Sequence, residues 1–495
     1  MKNTVPARLR RVAPVLAILI LLSTVATDLA AQGGANPGLQ RSRLPNGLEI
    51  IVYRDPAVPL AEIRLVFKAG GIAQTADTAG LFHLFEHLVF RGKAETVDSS
   101  LRAELAELGS SEWNGTTSAE YVSFKLSLPA DKVQGGIAFW ARVMGDRSPI
   151  DPAALESEKA IVLEELQAKA ADPDRIYEAA MTKRLFSKFP WRRDPAGSIP
   201  VVSAATPQTM AKLRDAWFVP NNAALIVGGD VDPEAVLAAA REAFGSWPQA
   251  NDPWKTPLVP QPRLGVTRPT WLVFPDSSLP EGIGMMEARY RGPDVLADPP
   301  GAIGADLWTA LVADPAGRFK ASMAKNVKKL YGPDPVSAYY VTQRDGALIS
   351  ISSYFFIDPA APAPDRSRQF KEQARGFEIT AMRTDSAYFT AADYEAARRR
   401  ILDARLLELE TAEGYVDALA FWWSSVSIDA FLAYPAAIEK AGSKEVKAFL
   451  DQYVLKNLEI VAVRMNPIDY DREKKLFAGA GFEVVGAPNA FWWKK

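Results

Sequence analysis

The chain contains no cysteine, which excludes a disulfide framework and a lipid-anchored cysteine. Histidine is nearly absent too, with two residues, His83 and His87, among 495. No further imidazole remains for a Ser–His–Asp triad, and there is no nucleophile elbow. Charge of one sign is also lacking. With 57 basic and 59 acidic residues the net charge is −2. There is thus no basic surplus to hold a nucleic-acid backbone or an acidic membrane. A bilayer-spanning helix needs roughly 20 apolar residues. The apolar run Ala13–Ala26 falls short of that, and no later segment resembles a span.

That run follows Lys2, Arg8, Arg10 and Arg11 and precedes Ala30-Ala31. A basic start, a short apolar stretch and small residues predict a signal peptide over residues 1–31, cleaved before Gln32. An uncleaved anchor is the competing reading, and the length weighs against it. Export without cysteine fits a bacterial periplasmic or secreted protein with no stable membrane span after cleavage.

At 48% hydrophobic and 23% charged, the chain has enough apolar material for a sizeable core. Its length predicts about two to four domains at roughly 100–200 residues each. Leu48–Tyr53 and Ala61–Lys68 read as a strand pair around the turn cluster Asp55–Pro59. Ala79–Phe90 and Asp98–Leu108 read as helices, and Tyr121–Leu128 as a strand. Asp151-Pro152 opens a long helix that Asp172-Pro173-Asp174 ends. Thr206-Pro207 and Asp232-Pro233 open two more, around a strand at Ala223–Val227. The proline-rich residues 248–269 read as a linker between domains at 40–247 and 270–495. The second domain repeats the order. Its strands are Glu281–Arg291 and Leu348–Phe356, and its helices Ala302–Ala313, Ala391–Leu409 and Lys444–Val454. The fold class is α+β in two similar mixed-sheet halves.

Residues 83–87 read His-Leu-Phe-Glu-His. On a helix, positions four apart share a face, so both imidazoles can reach one metal ion. Zinc hydrolysis needs three protein ligands and an open position, with a carboxylate near the water it activates. Glu86 suits that task. Two histidines placed at random would rarely fall one helical turn apart with a glutamate between them. Satisfied core histidines are the plainer reading, and the pairing weighs against it.

His-x-x-Glu-His is the inverzincin order, and the chain resembles the pitrilysin/insulinase (M16) metallopeptidases of the short two-domain type. Asn114-Gly115-Thr116-Thr117-Ser118 is similar to that family's Asn-Ala-x-Thr-Ser segment. Phe218-Val219-Pro220-Asn221-Asn222-Ala223, followed by Gly229-Asp230, is similar to its Tyr-x-Pro-Asn-Asn…Gly-Asp stretch. The resemblance implies two homologous domains in a clamshell around an enclosed chamber. It also implies one zinc ion per chain and hydrolysis of peptides or unfolded segments. Its glutamate pair seven apart matches Glu158 and Glu165, with Glu165 as third ligand and Glu158 behind a ligand imidazole. Spacing alone leaves Glu164 open, although Glu158 and Glu165 share a helix face. Asn114, Gly115 and Thr116 carry two readings, an edge strand that binds substrate backbone or an Asn-Gly hairpin turn.

Members of the family that act alone carry an arginine and a tyrosine in the second domain. The corresponding stretch, Gly317–Tyr340, lacks that arginine at its expected place. An oxyanion stabiliser contributes about 3–4 kcal/mol. The resemblance therefore implies the zinc-bearing subunit of a homo- or heterodimer whose M16-like partner supplies those residues. The alternative is a non-catalytic assembly or peptide-binding subunit.

Overall fold

The computed structural model describes residues 38–91, 97–263, 270–326, 330–332, 336–357, 388–455, 457 and 460–494. The predicted signal peptide and the last six linker residues lie outside these.

The first half opens with β1 (Leu39–Arg43), β2 (Glu49–Arg54) and β3 (Leu60–Phe67). Helices α1 (Leu81–Arg91) and α2 (Val97–Glu107) lead to β4 (Glu112–Thr117) and β5 (Val122–Pro129). Then come α3 (Val133–Gly145), α4 (Pro152–Ala171), α5 (Pro173–Leu185), α6 (Ile199–Ser203) and α7 (Pro207–Trp217). β6 (Ala223–Gly229) and α8 (Pro233–Phe244) complete it.

The sheet order is β1-β2-β6-β3-β5-β4. The predicted strand pair is therefore not a pair. β6 lies between β2, to which it is parallel, and β3, to which it is antiparallel. All seven residues of β6 are buried, which suits a central strand. The hairpin-turn reading of Asn114-Gly115 is also corrected. Both residues lie within β4, opposite Lys125 and Phe124, and the turn comes later, closed by Ser118 N–H to Tyr121 O.

Helix starts follow local chemistry. Asp151, Asp172 and Asp232 each accept backbone N–H groups at the ends of α4, α5 and α8, and each is followed by proline. Asp172 thus both ends α4 and begins α5, a helix that the sequence reading did not anticipate.

The second half contains β7 (Thr270–Pro275), β8 (Ile283–Arg291), α9 (Pro299–Val312), α10 (Arg318–Asn326), β9 (Ser337–Val341) and β10 (Leu348–Phe356). It continues through α11 (Ala391–Glu408), α12 (Ala412–Ser425), α13 (Ile428–Lys440) and α14 (Ser443–Phe449). β11 (Ile460–Met465), α15 (Pro467–Gly479) and β12 (Glu483–Val484) follow. Its sheet order is β12-β7-β11-β8-β10-β9. Strands β7, β11, β8, β10 and β9 repeat β2, β6, β3, β5 and β4 in order and pairing direction. α9 follows β8 as α1 follows β3, but carries no histidine. The protein is therefore α+β with an architectural repeat.

The compact units do not follow the midpoint of the chain. Residues 402–433 and 485–494, which the sequence-based division puts in the second half, pack with 38–263. α12 lies on the sheet of the first unit, with Tyr415 stacked on Tyr53 at 3.6 Å between centroids. Arg64 pairs with Asp417, and Lys125 with Glu413. Gly228 has no Cβ to meet Val416, so the helix approaches closely. The described part of the proline-rich segment, residues 248–263, is likewise tied down. Asn221 bonds Ala250, Trp254 bonds the Lys68 carbonyl, and Gln261 bonds the Phe189 carbonyl. Among the described residues no single helix is long and apolar enough to cross a membrane.

Candidate metal centre

α1 buries one face and offers the other. Phe82 and Phe85 are buried against Phe218, at 6.2 and 4.1 Å between centroids. His83, Glu86 and His87 lie half-buried. The helix start is clamped. Gln74, itself buried, accepts the Gly80 N–H and donates to the carbonyls of Trp191 and Asp194.

α4 brings Glu165 to these rings. Its carboxylate oxygens lie 3.6 Å from His83 Nε2 and 3.7 Å from His87 Nε2. One ligand atom from each of the three residues falls within 4.8 Å of the others. Glu158, two turns earlier on the same helix and buried, lies 3.3 Å from His87 Nδ1. A proton on Nδ1 donates to that carboxylate and leaves the Nε2 lone pair facing Glu165. His83 Nδ1 is buried without a hydrogen-bond partner among the described residues. Burial, and then the neighbouring His87 and Lys169, push His83 down to about 3. The ring stays neutral, the form in which imidazole binds metal. Glu164 is exposed and outside the cluster.

Glu86 faces β4, the edge strand of its sheet. Thr117 Oγ1 donates to Glu86 Oε2 at 2.7 Å. Burial raises the Glu86 carboxyl, and the Thr117 hydroxyl pulls it back. Asn114, Gly115 and Thr116 lie on the same strand, with Gly115 directly against Glu86. The sequence reading missed the role of Thr117. Its signal was the alternation of Gly115 and Thr117, which puts both on one strand face. Lys169, one turn beyond Glu165, acts on His83 through its charge.

In the second unit, Tyr340 is buried. Its hydroxyl donates to the Pro293 carbonyl at 2.5 Å and accepts from Thr342 at 2.8 Å. Burial holds that phenol well above its ordinary pKa. Arg318 is exposed, with Asp393 at 3.7 Å. Tyr331 is exposed, with its ring tilted against Phe356.

Residues 49–194 match the family model Insulinase (Peptidase family M16), and residues 204–268 match Peptidase M16 inactive domain. An uncharacterized zinc protease of Mycobacterium leprae is 27% identical over 210 residues, covering 42% of this chain and 46% of that protein. The beta subunit of the mitochondrial-processing peptidase of Blastocladiella emersonii is 27% identical over 225 residues, 43% of this chain and 46% of that one. The matches thus span less than half the length of these curated relatives. A protease from Helicobacter pylori shares the fold, with a TM-score of 0.73 at 14% identity over 86% of this chain and 99% of that one. The periplasmic protease PqqL from Escherichia coli gives 0.71 at 16% identity, over 90% of this chain and 50% of that one. Two models of the M16 (insulinase) peptidase family thus match in sequence order over residues 49–194 and 204–268, and the chain shares the fold of the solved structures named above.

Proposed function

We propose that the chain is a zinc-dependent endopeptidase that hydrolyses peptides or unfolded polypeptide segments in an enclosed chamber. The observation that carries this is the convergence of His83, His87 and Glu165 beside Glu86. Two imidazole nitrogens and one carboxylate fit zinc with a fourth position open. When bound, the ion polarises the scissile carbonyl and lowers the pKa of water to about 7. The chain's own residues supply the rest. Glu158 holds the His87 tautomer. Glu86 takes the proton of the attacking water and passes it to the leaving nitrogen. The free edge of β4, at Asn114, Gly115 and Thr116, pairs with substrate backbone, which makes recognition tolerant of sequence. Export to the periplasm accords with the basic and apolar start of the sequence and with the periplasmic relative.

The test is cleavage of a mixed, unstructured peptide library by the purified mature chain, with zinc measured in parallel. Glu86→Gln keeps its zinc and loses ~10²–10⁴-fold in rate, the contribution of a positioned general base. Equal cleavage by both proteins overturns the assignment.

A second reading concerns the partner. Tyr340 is engaged and buried and Arg318 faces Asp393, so neither is poised as an oxyanion donor. We read the chain as the zinc-bearing subunit of a dimer whose M16-like partner supplies that donor. Full activity from the monomeric chain argues against it.

A further inference from the structure

Gly115 and Thr117 stand two apart on β4, so their side-chain positions share a face. That face looks onto α1. Thr117 Oγ1 donates to Glu86 Oε2 at 2.7 Å. A Cβ on Gly115 would lie 2.6 Å from Glu86 Cγ, 2.7 Å from its Oε1 and 2.8 Å from the Phe90 ring. Real Cβ atoms do not approach so closely, so in its observed position the Glu86 side chain fills space that Gly115 leaves open. Phe90 is itself held, with Trp113 at 5.1 Å and Phe124 at 5.9 Å between centroids. Glu86 thus sits in a slot formed by a hydroxyl, a bare backbone and a fixed aromatic ring. The similar segment named above has alanine where this chain has Gly115.

We propose that β4 is the seat of Glu86, with Thr117 and Gly115 as positioning residues that aim its carboxylate at the reacting water. The proposal rests on the reading of Glu86 as general base. One strand then does two separable things. Its free edge offers backbone groups to a substrate, and its inner face fixes the base. Disturbing the inner face leaves the edge intact, so the effect falls on kcat rather than KM.

The test compares Thr117→Val, Thr117→Ser and Gly115→Ala with the wild-type chain, reading kcat, KM, zinc content and thermal midpoint. Thr117→Val is isosteric but cannot donate. It is expected to lower kcat ~10-fold or more, part of what a positioned base contributes, with KM, zinc and midpoint unchanged. Thr117→Ser restores the hydroxyl and recovers most of the rate. Gly115→Ala lowers kcat in the same direction by pushing Glu86 out of its slot. An unchanged kcat in Thr117→Val overturns the proposal, as does a loss that tracks zinc content or midpoint in every variant. If the wild-type chain cleaves nothing, the peptidase reading fails or needs its partner, and the seat is judged by crystal structures. A Glu86 carboxylate that swings away in Thr117→Val supports it, and one that stays in place overturns it.

Discussion

Glu158, Glu164 and Glu165 share one helix but not one environment. Seven residues make about two turns, so Glu158 and Glu165 look toward α1, while Glu164 points to solvent. Each therefore predicts a different loss. Glu165→Gln should abolish stoichiometric zinc binding, and Glu164→Gln should leave it unchanged, both by metal analysis after dialysis. Glu158→Gln should retain zinc but weaken it ~10–100-fold, the usual cost of removing a carboxylate that orients a ligand imidazole. Competition with a chromophoric chelator reads that difference. At His83, burial suits the proposed role as ligand. A charged ring is disfavoured there, so the lone pair stays available for metal.

At the scale of elements, the informative contact is α12 against its sheet. Glu62 on β3 lies beneath it, and burial pushes its carboxyl from 4.5 up to about 7. Glu413 adds to the rise, while Ser127, Lys125 and Arg64 oppose it. The folded state then binds more protons than the unfolded state between about pH 4.5 and about pH 7. Stability contributed by protonated Glu62 is full below that window and lost as the pH rises through it. Glu62→Gln should therefore gain on the wild type at pH 8 relative to pH 4.5, measured as the difference in urea midpoints. An equal difference at both pH values would count against this assignment. The stack of Tyr415 on Tyr53 belongs to the same interface. Tyr415→Ala removes a buried ring and should cost ~3 kcal/mol, in line with other large-to-small core changes.

For the molecule as a whole, the first unit is not a contiguous piece of chain. A fragment ending at residue 263 lacks α12 and exposes the face bearing Tyr53, Glu62 and Arg64. It should aggregate or unfold without a cooperative transition, and supplying residues 402–433 should restore one, followed by calorimetry. Zinc gives a second handle. A ligand at about 1,000 times its dissociation constant stabilises by ~4 kcal/mol. Chelation should therefore lower the midpoint of the wild type, and barely move that of Glu165→Gln.

The sequence alone determined what rests on short-range chemistry. The His-x-x-Glu-His motif on α1, the aspartate caps of α4 and α8 and the strand at Leu348–Phe356 are legible because helical spacing, capping and alternation act over a few residues. The repeat of two mixed sheets was legible as an order of elements, although not as strand order. Tertiary structure decided the rest. The insertion of β6 between β2 and β3 depends on where a fully apolar strand finds partners on both sides. The return of residues 402–433 to the first sheet depends on a charged and aromatic face that must be covered. Gly115 and Thr117 reach Glu86 only because β4 lies against α1. These pairings join residues about 30 to 360 positions apart, and burial and hydrogen bonding across the fold select them, since local propensity carries no information about them.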